Sequence, residues 1–379
     1  MAETMKEVVD NRIRKAIDNK SLNVKECLEK LEAEGKALVD YIILLGKGKI
    51  DLIPKTQFMS NGYVKMSWDM QMQDYNIHDN AICQLGEKFG INVAYLKDRA
   101  NGTEWEKSLA AHILNEHSLH TDRKRVLVRS VGDTVKGVLS DKYRRLNSVD
   151  IVTAYVQEVL GQGGSMYDGY LGETNCWLET IHPETVTIPS IKNGDITMAF
   201  GGRISTSDYG KGTLAIRSFM LQGICLNGMV REQIMNERHL GGRLPDDVIF
   251  SDRTYQLDTE ATVSAVRDIT RIIYSPATIK KRMFEIQDAT EVEVDMSGEI
   301  VKLQKTAKIT KDESKGIADI LMANKPEHGV QGESTLWKLT QGITAYANVI
   351  DNAERTRQLA EVSGELMNRV VKKEQLNLV

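Results

Sequence analysis

The chain has 379 residues, which is enough for two or three domains that each bury a hydrophobic core. Its composition, 41% hydrophobic and 27% charged, is typical of a globular protein, and a net charge of −4 gives no overall field that attracts nucleic acid or membrane. Four widely separated cysteines favour reduced thiols over a disulfide framework. The sequence has no signal peptide pattern and no run long enough to span a bilayer, so we expect a cytoplasmic protein without a membrane partner.

Residues 1–40 have apolar positions at helical spacing and alternating charges typical of a solvated helix face. Residues 46–49, Gly-Lys-Gly-Lys, lack the spacing of a nucleotide-binding loop, and we expect a linker there. Residues 79–98 predict two short helices. These could form a DNA-reading helix-turn-helix, but the second helix lacks the side chains that read base edges, so we favour a hairpin packed on the core.

A basic hairpin follows, with strands at 125–131 and 134–140 and a helix at 149–160. Between residues 121 and 145 there are eight Arg or Lys and three Asp, which leaves a local charge of +5. Basic residues around an aromatic one are typical of a groove that follows a phosphate backbone, although an edge strand protected by its charges is the alternative. The candidate DNA contacts are Arg123, Lys124, Arg125, Lys142, Tyr143, Arg144 and Arg145.

A second hairpin begins near Arg203, and its apolar return strand predicts a corner at 226–228 and then a helix at 229–235. A phosphate beside this corner would be bound by cations and by the start of the helix. The candidate contacts are Arg203, Lys211, Arg217, Asn227 and Arg231. Alternatively, Arg217 pairs with a carboxylate from the C-terminal helices, because buried arginines are usually paired. Cys176, His182, Cys225 and His239 have no paired ligand spacing, so we expect no metal and no other cofactor.

After Pro245 the pattern turns helical, apart from residues 291–308, which predict a pair of strands. The expected fold is α+β, with a central antiparallel sheet over about 121–230, hairpin-helix units, and helices from both ends of the chain around it. The expected regions are an N-terminal helical region (1–73), an α+β core with the basic hairpins (74–245) and a mainly helical C-terminal region (246–379).

Several short segments resemble a family of phage and plasmid proteins that is labelled only as phage/plasmid-like, with a domain of unknown function. These segments are 139–146, 212–217, 225–230 and 84–91, together with His239, Trp337 and Tyr346. The resemblance covers about residues 75–355 and implies a bacterial host cell, but it implies little about activity.

The predicted strand-turn-strand-helix at 203–237 and the predicted hairpin-helix at 125–160 are each similar to the core of single-strand annealing proteins of the lambda Red-beta and Erf types, which is a hairpin, a further strand and then a helix. That similarity implies a homo-oligomeric ring or filament that holds single-stranded DNA in a basic groove without ATP. We therefore expect a non-catalytic protein that binds and anneals single-stranded DNA during recombination. The alternatives are an interaction protein, such as an inhibitor of host defence, and a metal-dependent nuclease, which is disfavoured because no compact acidic motif is found.

Overall fold

The computed structural model describes residues 5–45, 56–61, 63–68, 74–121, 125–237 and 251–376. Within them the chain forms an α+β fold, with helices from both ends of the chain packed around β-structure, as predicted. The strands form two six-stranded sheets rather than the single predicted sheet, because the segment before residue 121 contributes four strands that the sequence pattern did not reveal.

The first sheet has strands in the spatial order β1-β5-β6-β4-β3-β2, and all neighbours are antiparallel except the parallel pair of β4 and β6. Its strands are β1 (Leu38–Leu44), β2 (Thr56–Asn61), β3 (Tyr63–Trp68), β4 (Tyr75–Ile77), β5 (Arg125–Val131) and β6 (Thr134–Ser140). This sheet therefore combines strands from both sides of residue 73, where the sequence predicted a boundary.

The second sheet is antiparallel, in the order β12-β11-β10-β8-β7, with β9 paired to one end of β10. Its strands are β7 (Ser165–Leu171), β8 (Cys176–Ile181), β9 (Val186–Ile188), β10 (Ile196–Thr206), β11 (Leu214–Gln222) and β12 (Asn227–Glu237). The predicted hairpin of β10 and β11 is present, but the helix predicted at 229–235 is wrong. The short apolar run fits helix and strand alike, and pairing with β11 decides in favour of β12.

The described residues contain eleven α-helices. They are α1 (Met5–Ala37), α2 (Asp79–Phe89), α3 (Val93–Ala100), α4 (Glu104–His120), α5 (Ser148–Gly161), α6 (Asp252–Tyr274), α7 (Pro276–Glu291), α8 (Met296–Lys305), α9 (Lys311–Ala323), α10 (Leu336–Ala347) and α11 (Ala353–Leu376). The strand pair predicted at 291–308 is wrong, because Ile300 and Leu303 recur at helical spacing and α8 buries both in the C-terminal helical core.

The two short helices at 79–98 pack on the core as expected. Ile82 and Leu85 of α2 and Leu96 of α3 are fully buried against the first sheet. The hairpin of β5 and β6 followed by α5 also matches the prediction. The linker expected at residues 46–49 lies outside the described residues.

Helices cover both faces of the second sheet. On one face, α5 and α6 pack against β8, β10 and β11 through residues such as Tyr155, Ile204 and Val266. On the other face, α1 and α11 pack over a core that includes Ile13, Phe219 and Ala360. The approach of α11 is close, since a Cβ added at Gly364 would lie 1.6 Å from the carbonyl oxygen of Val230 on β12. The candidate site lies on this second face, which is called the α1/α11 face below.

Candidate nucleic-acid interface

A row of charged side chains crosses the α1/α11 face of the second sheet. The pairing register places Asp168 of β7 opposite Glu179 of β8, Glu179 opposite Arg203 of β10, and Arg203 opposite Arg217 of β11. Directly opposed residues in an antiparallel sheet point to the same face, so these four side chains form one continuous line. The line spans three strand spacings, about 14 Å.

The centre of the row is a buried ion pair. Arg203 donates from Nε to Glu179 Oε1 at 2.8 Å, and its Nη2 contacts the same oxygen. Burial raises the pKa of the Glu179 carboxyl, and the opposing charge of Arg203 offsets only part of that effect. The Arg203 guanidinium also lies 5.4 Å from the ring centroid of Trp177 and 5.8 Å from that of Phe219. Arg203 is therefore held in place by groups on three sides.

At the β11 end of the row, three guanidinium groups meet one carboxylate oxygen, Glu361 Oε1 on α11. Arg217 Nη1 contacts this oxygen, Arg357 Nη1 donates to it at 2.9 Å, and Arg203 Nη1 lies 3.8 Å from it. The side chains of Arg217 and Arg357 are 21% and 19% exposed, whereas that of Arg203 is 4% exposed. We call Arg203, Arg217 and Arg357 the arginine cluster.

Some donors of this region have no hydrogen-bond acceptor among the described residues. They are Arg203 Nη1, Arg357 Nε and the indole nitrogen Nε1 of Trp177, and all three atoms are buried. A buried donor without an acceptor is costly, so each is a group that an anionic ligand could satisfy.

At the β7 end, Lys20 of α1 donates to Asp168 Oδ2 at 2.6 Å and lies 4.4 Å from the ring centroid of Tyr167. Burial acts to lower the pKa of Lys20, but the attraction of Tyr167 and Asp168 outweighs it, and the net shift is upward. The half-buried Tyr170 stacks on Trp177, with ring centroids 5.9 Å apart. An aromatic ring therefore lies on the same face as the charged row.

The described basic residues around Tyr143 lie outside the arginine cluster, and acidic groups pair with Arg125, Arg144 and Arg145. Arg144 makes a bidentate contact with Asp258 of α6 at 2.6 and 2.8 Å. Arg145 lies 3.7 Å from Asp40 and over the ring of Tyr255. Arg125 lies 3.4 Å from Asp141, and Lys142 is partly buried, while Arg123 and Lys124 lie outside the described residues.

Tyr143 itself is buried, with 4% of its surface exposed, so its ring has no free face on which a base could stack in this conformation. Its hydroxyl donates to the carbonyl oxygen of Ser207 at 3.3 Å, and burial raises the pKa of this phenol. The loop between β10 and β11 covers the ring, a contact between residues far apart in sequence that the basic pattern around Tyr143 could not reveal.

The remaining predicted contacts do not converge on one place either. Asn227 is buried at the start of β12, where its amide donates to the carbonyl oxygen of His328 at 2.9 Å. Arg231 lies inside β12 rather than at a helix start, and its side chain binds Glu285 of α7 and the backbone of α11. Lys211 is exposed in the turn between β10 and β11. Of the predicted contacts that the structure describes, Arg203 and Arg217 are the two that come together at the arginine cluster.

Sequence reasoning missed Glu179, Arg357 and Glu361. A signal for Glu179 was present, because a lone charged residue inside an otherwise apolar strand requires a partner. No comparable signal identified Glu361, which is 144 positions from Arg217 in sequence. The alternative prediction, that Arg217 pairs with a carboxylate of the C-terminal helices, describes the contact that the structure contains.

Among the described residues there is no group of three or more His, Cys, Asp or Glu arranged to hold a metal ion. His239, one of the four residues considered for a metal, lies outside them. The described helices also include no segment with the length and apolar character that crossing a membrane requires. Comparison of the chain with protein families, with curated proteins and with solved structures gives no match.

Proposed function

We propose that the chain is a non-catalytic protein that binds single-stranded DNA at the arginine cluster. The observation that carries this proposal is the convergence of Arg203, Arg217 and Arg357 on one carboxylate oxygen, with two of the three side chains partly open to solvent. Guanidinium groups bind phosphate oxygens through the same planar pair of donors that they offer to a carboxylate.

The aromatic pair beside the cluster supports a single-stranded ligand over a duplex. Proteins that bind single strands combine cations that follow the backbone with aromatic rings on which unpaired bases stack. Tyr170 lies half-buried on the same face as the arginine cluster, and its ring stacks on that of Trp177. A duplex would not offer an unpaired base to this ring.

The order of elements supports annealing as the wider role. Among the described elements, the hairpin of β10 and β11 is followed by β12 and then by α6, an order that resembles the core of single-strand annealing proteins. Residues of α6 such as Val266 and Ile273 pack against Ile204 and Ile216 of that hairpin. We include in the proposal that the chain assembles as a homo-oligomeric ring or filament on DNA, which particle imaging with and without single-stranded DNA would test.

The proposal is tested with a fluorescently labelled oligo(dT) and a duplex of equal length, followed by anisotropy. We expect the wild-type chain to prefer the single strand. The double variant Arg217→Ala, Arg357→Ala should bind at least tenfold more weakly, because two charge-assisted contacts of about 1.5–3 kcal/mol each are removed. The control is Arg271→Ala, which removes one exposed arginine, paired with Glu158 on α5. Equal affinities of the double variant and the control would refute the site.

A further inference from the structure

Glu361 occupies the position in the arginine cluster that suits an anion. Its Oε1 receives Arg217 and Arg357 and lies 3.8 Å from Arg203. This carboxylate is on α11, near the surface, with 26% of its side chain exposed. It can therefore turn towards water without a change in the fold of the helix.

The charges of the cluster are not balanced by Glu361 alone. Three arginines face two carboxylates, Glu179 and Glu361, which leaves one net positive charge. Glu179 accepts from two donors of Arg203, so Glu361 is the carboxylate partner that Arg217 and Arg357 share. Arg203 Nη1, which has no hydrogen-bond acceptor among the described residues, lies 3.8 Å from the same oxygen.

A backbone phosphate can take the place of the carboxylate in this arrangement. A phosphodiester carries one negative charge and two non-bridging oxygens, as the carboxylate does, but it is not tied to α11, so its two oxygens can be shared among Arg203 Nη1, Arg217 and Arg357. The same three arginines cannot bind Glu361 and a phosphate fully at once, because both ligands need the same donors.

We propose that Glu361 is an internal competitor for the phosphate of the ligand, and that DNA binds by displacing its carboxylate from the arginine cluster. This inference rests on the proposed function and adds a regulatory contact to it. The apparent affinity of the chain is lowered by the fraction of molecules in which Glu361 holds the arginines. Glu361 on α11 thereby weakens the binding of small anions such as free phosphate, while a polymer with many phosphates competes successfully with Glu361 for the arginines.

The test compares Glu361→Gln with the wild-type chain, using labelled oligo(dT) and inorganic phosphate as separate probes. This substitution keeps the shape of the side chain but removes its charge, so we expect oligo(dT) to bind about tenfold more tightly, which corresponds to about 1.4 kcal/mol. Inorganic phosphate should also raise the melting temperature of this variant more than that of the wild type, because ligand binding stabilises the folded state. The matched control is Glu365→Gln, one turn along α11, which removes an exposed acid paired with Lys308.

The outcomes separate the two proposals. If oligo(dT) binding needs Arg217 and Arg357 but Glu361→Gln binds no more tightly than Glu365→Gln, the competitor role is wrong and the DNA site stands. If neither chain binds oligo(dT) but Glu361→Gln alone gains stabilisation by phosphate, the DNA proposal is wrong and the competitor role stands. If neither probe distinguishes the variants, both are wrong. A second variant, Glu361→Asp, keeps the charge on a shorter side chain and should give a smaller gain in affinity; it decides the matter if Glu361→Gln does not fold.

Discussion

We expect replacement of Arg231 to lower the stability of the fold, because it weakens the packing of the C-terminal helices on the second sheet, and not only to impair binding. The side chain is completely buried in β12. Its Nε and Nη2 donate to Glu285 Oε2 at 3.1 and 2.9 Å, and its Nη1 donates to Gly364 O at 2.8 Å and to Asn368 Oδ1 at 2.9 Å. The guanidinium of Arg231 therefore connects both α7 and α11 to the sheet through hydrogen bonds.

The size of the effect follows from what Arg231→Ala leaves behind. Glu285 keeps its contacts with Arg282 at 2.8 and 2.9 Å, but it loses the two hydrogen bonds from Arg231. Asn368 Oδ1 also loses the hydrogen bond that it accepts from Arg231. Removing one partner of a buried ion pair costs about 3–5 kcal/mol where the remaining charge is left unpaired, and because Glu285 keeps Arg282 we expect a loss at the lower end, about 3 kcal/mol. The control Arg271→Ala removes a side chain that is 55% exposed, where an ion pair contributes about 0–1 kcal/mol.

The assay is urea unfolding followed by tryptophan fluorescence, since Trp177 and Trp337 are both buried and report on the packing around them. The shift in the midpoint multiplied by the slope gives the loss in free energy of unfolding. A loss for Arg231→Ala no greater than that for Arg271→Ala would refute this account of the buried pair. It would favour instead the sequence-based hypothesis, in which Arg231 binds an anion.

Three further predictions concern other contacts. Arg355 and the backbone of Thr310 hold the pKa of Glu313 below its ordinary 4.5, so this carboxylate adds stability that is present above pH 4.5 and is lost as the pH falls through the lowered pKa. The difference in free energy of unfolding between wild type and Glu313→Gln, measured by urea unfolding, should therefore shrink in acid, and a constant difference would contradict this prediction. Gly364→Ala should destabilise by about 1–3 kcal/mol because its Cβ would meet Val230 O, whereas Gly161→Ala at the end of α5, with no heavy atom within 4 Å, should be neutral or stabilising in the same assay. Replacing Arg144 and Arg145 together with Ala tests their predicted phosphate contacts: a smaller salt dependence of oligo(dT) binding would support them, and an unchanged one would assign both residues to the ion pairs with Asp258 and Asp40.

The fold could be predicted where periodicity is long or regular. Apolar positions at helical spacing identified α1, and a β-branched run with a two-residue turn identified β5 and β6. Prediction failed at β12 and α8, where apolar runs are short and the packing of distant segments decides between helix and strand. The strands before residue 77 gave no clear signal of a second sheet, because their pairing to β5 and β6 is a long-range property.

The candidate site could be predicted only in part, for a physical reason. Local excess of positive charge selected the segment around Tyr143, but the sequence does not show which acids fold back to neutralise it, as Asp258 and Asp40 do. Arg217 was singled out because a charge on an apolar strand needs a partner, and Arg203 was selected as one of the cations of the second hairpin. Their partners Glu179 and Glu361 come from another strand and a distant helix, which only the folded chain brings together.

The salt dependence of oligo(dT) binding tests the central claim, that the arginine cluster contacts phosphate, most directly. For a single strand, the slope of log K against log salt concentration falls by about 0.7 for each phosphate contact. We predict that Arg217→Ala, Arg357→Ala lowers the magnitude of the wild-type slope by about 1.4, while Arg271→Ala leaves it unchanged. Equal slopes for all three chains, or no binding of oligo(dT) by the wild type and by Glu361→Gln alike, would contradict the account.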